Sequence, residues 1–229
     1  TINTPRREAE PSFTADGRTM YLNCDDADIC VSYLRGTREE GNWTRPERLG
    51  APISTGYFEV EPLINAAGDK LYFLSNRPGG RFAGNSILTP LVANAFFIIN
   101  FIAEANLGIS FFGGLGLGDV WVSRRVDGVW QEPQNLADVP GEPPVNTVFH
   151  DHCLFFSVDG NEAFWTSTRP GGFGGNDIWT SHRAGGTWTD PQNLGRNVNG
   201  PADEHHSIPT ADGRALYVTS NREGGYGGD

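Results

Sequence analysis

The sequence predicts an all-β protein, a β-propeller of four-stranded antiparallel blades, on three observations. One phrase recurs four times along 229 residues, each copy divides into short strand-like runs between turn residues, and Gly 30 and Pro 15 make turns frequent. The phrase reads EPSFTADGRTMYL at 10–22, EPLINAAGDKLYF at 61–73, CLFFSVDGNEAFW at 153–165 and HSIPTADGRALYV at 206–218. The turn glycines Gly17, Gly68, Gly160 and Gly213 fall at one place in every copy; Asp precedes Gly in three, and the second reads Ala-Gly-Asp.

The elements follow in order. A first strand leads into the Gly turn, and β-branched and aromatic residues build a second. A Gly-rich link follows: SNRPGG (75–80), STRPGG (167–172) or SNREGG (220–225). The third strand is GDVWVSRR (118–125) or NDIWTSHR (176–183), with ADICVSYL (27–34) as a weaker copy. The fourth lies in GNWTRPERLG (41–50), GVWQEPQNLA (128–137) and GTWTDPQNLG (186–195). Four strands per unit of about 45–50 residues is the signature of a propeller blade. The last repeat reaches only GGYGGD, so it is expected to be incomplete, and the chain, which begins at Thr1, to be a processed form or a piece of a larger ring.

Spacing locates what is extra. Glu8 to Glu59 is 51 residues and Asp151 to Glu204 is 53, but Glu59 to Asp151 is 92. From Arg77 to Asp119 is 42 residues where Arg169 to Asp177 is 8, so 34 residues are inserted there; five more lie in DVPGEPPVN (138–146). The expectation is one propeller domain over 1–229 with a hydrophobic insertion at 86–118 in the second blade.

These phrases, most fully SVDGNEAFWTSTRPGGFGGNDIWTSHRAGGTWTDPQNLGRNVNG at 157–200, resemble the TolB-like, WD-like β-propeller repeat family. The resemblance covers nearly the whole chain outside the insertion. It implies a propeller fold and a periplasmic or extracytoplasmic location, peripheral to a membrane, in proteins that often carry a peptidoglycan-binding OmpA-like module. No such module is legible in this sequence.

Charge narrows the partners. A net charge of −11 with 20% charged residues leaves no basic stripe for nucleic acid and no attraction to anionic lipid. Three cysteines make no disulfide scaffold; Cys24 and Cys30 flank a short acidic loop and are either bridged or two small buried residues.

Residues that recur in register read as architecture. An acid stands at Glu8, Glu59, Asp151 and Glu204, an Asp at 28, 119, 177 and 229, and an Arg at 77, 169 and 222. Catalysis needs one asymmetric site with differently tuned groups, so each Asp–Arg set is expected to be a hydrogen-bonded pair that pins a Gly-rich turn. A strand, not a helix, follows those glycines, which excludes a phosphate cradle. Trp43, Trp130 and Trp188 are expected to pack blades.

Histidines break the repetition. FHDHC (149–153) and DEHHS (203–207) align His152 with His205 and His150 with Asp203, whereas the first two copies carry Ala9 and Val60, Arg7 and Phe58 there. Strand alternation puts His150 and His152 on one face. His152, His205 and either His150 or Asp203 are candidate ligands of one divalent transition metal; the alternative is that they fill polar space near the axis. Oligogalacturonate lyases resemble this arrangement in being propellers with a His-bound metal, although their overall motif is not reproduced here. Alternation also predicts that His206 points away from the other histidines and that Cys153 and His152 face opposite sides, which argues against a Cys–His nucleophile. His182 is expected at the surface. Neither a Gly-x-Ser-x-Gly elbow nor His-Glu-x-x-His occurs.

The insertion carries VANAFFIINFIAEANLGISFF (92–112), with Glu104 its one charge. Thr89 and Pro90 suit a helix start and Leu107-Gly108 a stop, giving a helix of roughly 17 residues and 25 Å, slightly short of a membrane span. Burying five or six of its large side chains is worth on the order of 10 kcal/mol, so they demand a partner surface. The candidate contacts are Leu91, Phe96, Phe97, Ile98, Ile99, Phe101, Ile102, Phe111 and Phe112. A bilayer, an integral membrane protein or the propeller's own face could cover them; Asn94 and Asn100 favour protein. The expectation is a non-catalytic extracytoplasmic scaffold subunit, docked through 88–117 on a membrane or membrane complex, with no cofactor. The alternative is a metal-dependent lyase or hydrolase acting on an acidic carbohydrate bound at the propeller face.

Overall fold

The computed structural model describes Ile2 and residues 8–24, 27–81 and 118–224. Apart from one 3-10 turn, Leu136–Asp138, the regular elements among them are strands. In the first sheet β1 (Ala9–Phe13), β2 (Thr19–Cys24) and β3 (Asp28–Arg35) pair in sequence, and β4 (Asn42–Trp43) and β5 (Glu47–Arg48) both pair with β3. The second sheet repeats this with β6 (Glu59–Ile64), β7 (Lys70–Ser75), β8 (Asp119–Val126), β9 (Val129–Trp130) and β10 (Gln134–Asn135). The third has β11 (Asp151–Phe156), β12 (Glu162–Ser167), β13 (Asp177–Ala184), β14 (Thr187–Trp188) and β15 (Gln192–Asn193). β16 (Glu204–Pro209) and β17 (Leu216–Ser220) form the last described pair. All pairings are antiparallel.

The expected fourth strand is split in two. Pro46, Pro133 and Pro191 stand in the gaps, and proline has no N–H to give to the ladder. The eight-residue third strand is long enough to pair with both pieces. The Gly turns are held by the side chain that opens them. Asp159 Oδ1 accepts from the Ser157 hydroxyl at 2.6 Å and the Asn161 amide at 3.0 Å. In the second sheet, where Asp is displaced, Asn65 Oδ1 accepts the amides of Asp69 and Lys70, each at 3.0 Å.

The sheets pack face to face in sequence order. Tyr21, Ile29 and Val31 of the first meet Leu71, Phe73 and Trp121 of the second. Tyr72, Val120 and Val122 of the second meet Leu154, Ala163, Trp165 and Trp179 of the third. Alternate residues of β7 therefore serve opposite neighbours, which is why Leu71 through Ser75 are all buried. Each such large side chain contributes roughly 1.5–3 kcal/mol. The first strands lie side by side, β6 next to β1 and β11, and β11 next to β16. Successive sheets turning about their first strands fit a propeller.

The five-residue excess at 138–146 wedges between sheets. The Glu142 side chain is 3% exposed and bonds Lys70 Nζ at 2.6 Å and the Tyr72 hydroxyl at 2.9 Å. The Gly141 carbonyl accepts from Arg183 and Trp188 Nε1, each at 3.0 Å. Cys24 and Cys30 are bridged, which decides between the two expectations for that pair.

The hydrophobic insertion, its helix and its contact residues Leu91, Phe96, Phe97, Ile98, Ile99, Phe101, Ile102, Phe111 and Phe112 lie outside the described residues. Its neck does not. The Arg81 amide donates to Asp119 Oδ2 at 2.6 Å, as the Phe173 amide does to Asp177 Oδ2 at 2.5 Å across the short link of the third sheet. No helix among the described residues is long and apolar enough to cross a membrane.

Candidate functional site

The recurring charges form knots at the start of the first strands β6, β11 and β16. Asp151, fully buried, accepts from the Thr147 amide at 2.7 Å, the Ser167 hydroxyl at 2.6 Å and Arg169 at 2.7 Å. Glu59 does the same with Thr55, Ser75 and Arg77, and Glu204 with the Gly200 amide, Ser220 and Arg222. Arg77 lies over Phe73 and Trp121, and Arg169 over Trp165 and Trp179, so each cation is covered by aromatic faces. The Arg thus pairs with the first-strand acid. The expected Asp–Arg pairs are therefore corrected: the third-strand Asp119 and Asp177 accept the Gly-rich turn's amides, and each Arg bonds the first-strand acid instead. That turn needs glycine at Gly172, where a Cβ would collide with the Asp177 carboxylate.

Two residues past each of the recurring acids Glu8, Glu59, Asp151 and Glu204 the first strand bulges. Glu10, Glu61, Cys153 and His206 have φ of 52°, 56°, 51° and 47°, and the pairing register slips at each. A bulge re-aims its side chain, and these four meet. The Glu61 amide donates to Asn23 Oδ1 at 2.9 Å, the Cys153 amide to Glu61 Oε2 at 2.6 Å, and the His206 amide to the Cys153 sulfur. His206 Nε2 lies 3.5 Å from Glu10 Oε1, and Glu10 in turn accepts from Asn23 Nδ2. Four sheets are stitched by the side chains of their own bulges.

The bulge also overturns two expectations from strict alternation. Cys153 Sγ lies 2.9 Å from His152 Nδ1, on the same side, and His206 joins the cluster instead of pointing away. Burial first, then the Glu61 and Glu10 carboxylates, push the Cys153 thiol well up, which works against a thiolate nucleophile beside His152. Burial works to raise the Glu61 pKa as well, but the hydrogen bond and charge of His152, the charge of His206 and the Cys153 amide outweigh it and hold the carboxyl at about 2. The hydrogen bond to Glu10 raises His206 against the pull of burial.

Of the candidate metal ligands, His150 and His152 come together, rings stacked at 4.0 Å, with the His205 ring 5.7 Å from His152. Burial and the neighbouring His152 push His150 down to about 2, so this ring is neutral. Asp203 goes elsewhere: it accepts the Asn176 amide at 2.8 Å and the Asn221 side chain at 3.4 Å. His182 is exposed. Glu10, Glu61, Cys153 and His206 were missed as a site although they open the four repeated phrases. Their signal was unlike side chains at one register position.

No protein-family model matches the chain, and no curated protein matches it in sequence. Solved structures do match in fold. A putative TolB from Agrobacterium tumefaciens aligns over 96% of this chain and 56% of its own, with a TM-score of 0.53 at 15% identity. TolB from Acinetobacter baumannii aligns over 98% of this chain and 40% of its own, with a TM-score of 0.53 at 11% identity. The chain therefore spans about half the length, or less, of these two structures.

Proposed function

We propose, from the premise that the chain has the fold of the TolB-like propellers, that it is a non-catalytic interaction subunit working outside the cytoplasm. In this reading residues 1–229 are one propeller domain of four-stranded blades, and the insertion at 86–118 docks it on an integral membrane protein complex or a bilayer. The observation that carries the reading is residues 92–112, a run with the single charge Glu104 in a chain of net charge −11. Leu91, Phe96, Phe97, Ile98, Ile99, Phe101, Ile102, Phe111 and Phe112 are its contact residues. Three further facts support it. The neck bond of Arg81 to Asp119 matches that of the short link in the third sheet, so the insertion leaves this turn contact in place. The recurring acids Glu59 and Asp151 are committed to buried ion pairs with Arg77 and Arg169, which suits architecture more than acid–base chemistry. The Cys24–Cys30 bridge suits an oxidising, periplasmic-type compartment.

Deleting residues 88–117 tests this. The shortened protein is expected to keep its strand content by circular dichroism and to leave the membrane fraction for the soluble one. A folded deletion variant that still sediments with membranes overturns the reading.

A second reading is a metal-dependent lyase or hydrolase acting on an acidic carbohydrate, and the grouping of His150, His152 and His205 favours it. Here one divalent transition metal is the cofactor. Turnover of oligogalacturonate by the purified protein, lost in His152→Ala, would support it over docking alone.

A further inference from the structure

We propose that Glu61, Cys153 and His206, with His152 beside them, bind one zinc-class divalent ion that ties three successive sheets together at their first strands. The ligand atoms of Glu61, Cys153 and His206 all lie within 4.8 Å of one another, and each comes from the bulge of a different strand, β6, β11 and β16. Cys153 Sγ is 3.5 Å from Glu61 Oε1. Metal–sulfur and metal–oxygen bonds of about 2.3 Å and 2.0 Å at a tetrahedral angle set those two atoms about 3.5 Å apart. His152 Nδ1 lies 3.4 Å from Glu61 Oε1 and 2.9 Å from Cys153 Sγ, which puts an imidazole against two of the three ligands.

A second observation points to the same place. His152 is 3% exposed, and its buried Nε2 has no hydrogen-bond partner among the described residues. Its other nitrogen, Nδ1, faces Glu61 Oε1 and Cys153 Sγ, so a buried imidazole is held against two of the cluster's ligand residues, and an ion at the cluster would give a reason for burying it there.

Donor chemistry selects the metal. One sulfur, which loses its proton to solvent as the metal binds, imidazole nitrogen and one carboxylate suit zinc and its neighbours, whereas magnesium and calcium take oxygen alone. Glu61, Cys153 and His206 share no residue with the His150, His152, His205 and Asp203 group, although His152 borders both, and the proposal depends neither on membrane docking nor on turnover. Membrane release reads residues 88–117, whereas metal binding reads the axis.

The experiment uses the full chain, stripped with a chelator and dialysed. Zinc titration is expected to show one ion per chain and a raised Tm, and cobalt to give a thiolate-to-metal charge-transfer band. Cys153→Ser should abolish that band. Glu61→Gln and His206→Ala should weaken zinc by more than the roughly 10–100-fold typical of changes outside the ligand sphere, while His182→Ala at the surface leaves it unchanged. Circular dichroism checks each variant, and if Cys153→Ser does not fold, Glu61→Gln decides. Failure of the folded wild-type chain to bind zinc stoichiometrically, absence of the band, or undiminished affinity in Glu61→Gln overturns the proposal.

Discussion

Two residues separate the knots from the bulges, and the two places are built on opposite rules. At the knots Glu59, Asp151 and Glu204 keep one chemistry and one set of partners, acid to Ser to Arg, in three sheets. At the bulges the backbone is what repeats, φ near 50° four times, while the side chains are Glu, Glu, Cys and His. Repeated chemistry marks what every sheet needs in order to fold. Repeated geometry with varied chemistry marks where the fold leaves the choice of side chain open to something else.

The knots should therefore carry the larger energies. Asp151→Ala leaves Arg169, 9% exposed, beside no carboxylate and the Thr147 amide with no acceptor. The expected loss is about 3–5 kcal/mol, read as a lower denaturant midpoint at unchanged m. Glu204→Ala sharpens the point, because Arg222 is half exposed and water can replace the acid. Its loss should be clearly smaller. Equal losses would mean that burial of the cation is not what makes the knot costly to break. Next comes the wedge: Glu142→Ala removes the partner of Lys70 and Tyr72, with an expected loss of about 2 kcal/mol because Lys70 is partly solvated.

The bulges should respond far less. Glu10 holds φ of 52°, touches His206 through a part-exposed pair and accepts from Asn23 Nδ2. Glu10→Gly relieves a backbone cost of about 1–2 kcal/mol and gives up an ion pair worth about 0–1 kcal/mol and a hydrogen bond worth about 0.5–1.5 kcal/mol. A Tm close to that of the parent chain is expected. A loss as large as that at Asp151 would erase the distinction between the two places.

Much of this was legible in the sequence. The fourfold phrase announced the sheets, the interval of 92 residues located both excesses, and the acids and arginines were read as architecture before their partners were known. What alternation could not supply was the bulge. Period-two reasoning assigns Cys153 and His206 to the wrong side because it assumes a regular ladder, and one left-handed residue inverts the result. The split of the fourth strand was in principle readable from Pro46, Pro133 and Pro191, since proline cannot donate to a ladder. The identity of each Arg's partner was not, because Glu59 and Asp119 both lie across the ladder from Ser75, and sequence spacing does not choose between them.

The smallest effect sets the Gly turns against one another. Asp16, Asp159 and Asp212 are each held low first by the hydroxyl two residues before and next by the amide two residues after, Asp159 to about 2 against an ordinary 3.8. A carboxyl whose folded pKa lies below its unfolded one favours the folded turn above pH 4 and loses that preference as pH falls from about 4 toward 2. The second turn is held instead by Asn65, whose amide does not titrate. Amide exchange followed downward through this window should therefore show Asn161 losing protection while Lys70 keeps it. Ser157→Ala should move the Asp159 midpoint up toward 3.8 and bring the loss to higher pH. Parallel behaviour of the two amides would mean that the strand pairing around the turn, and not the aspartate, is what holds it closed.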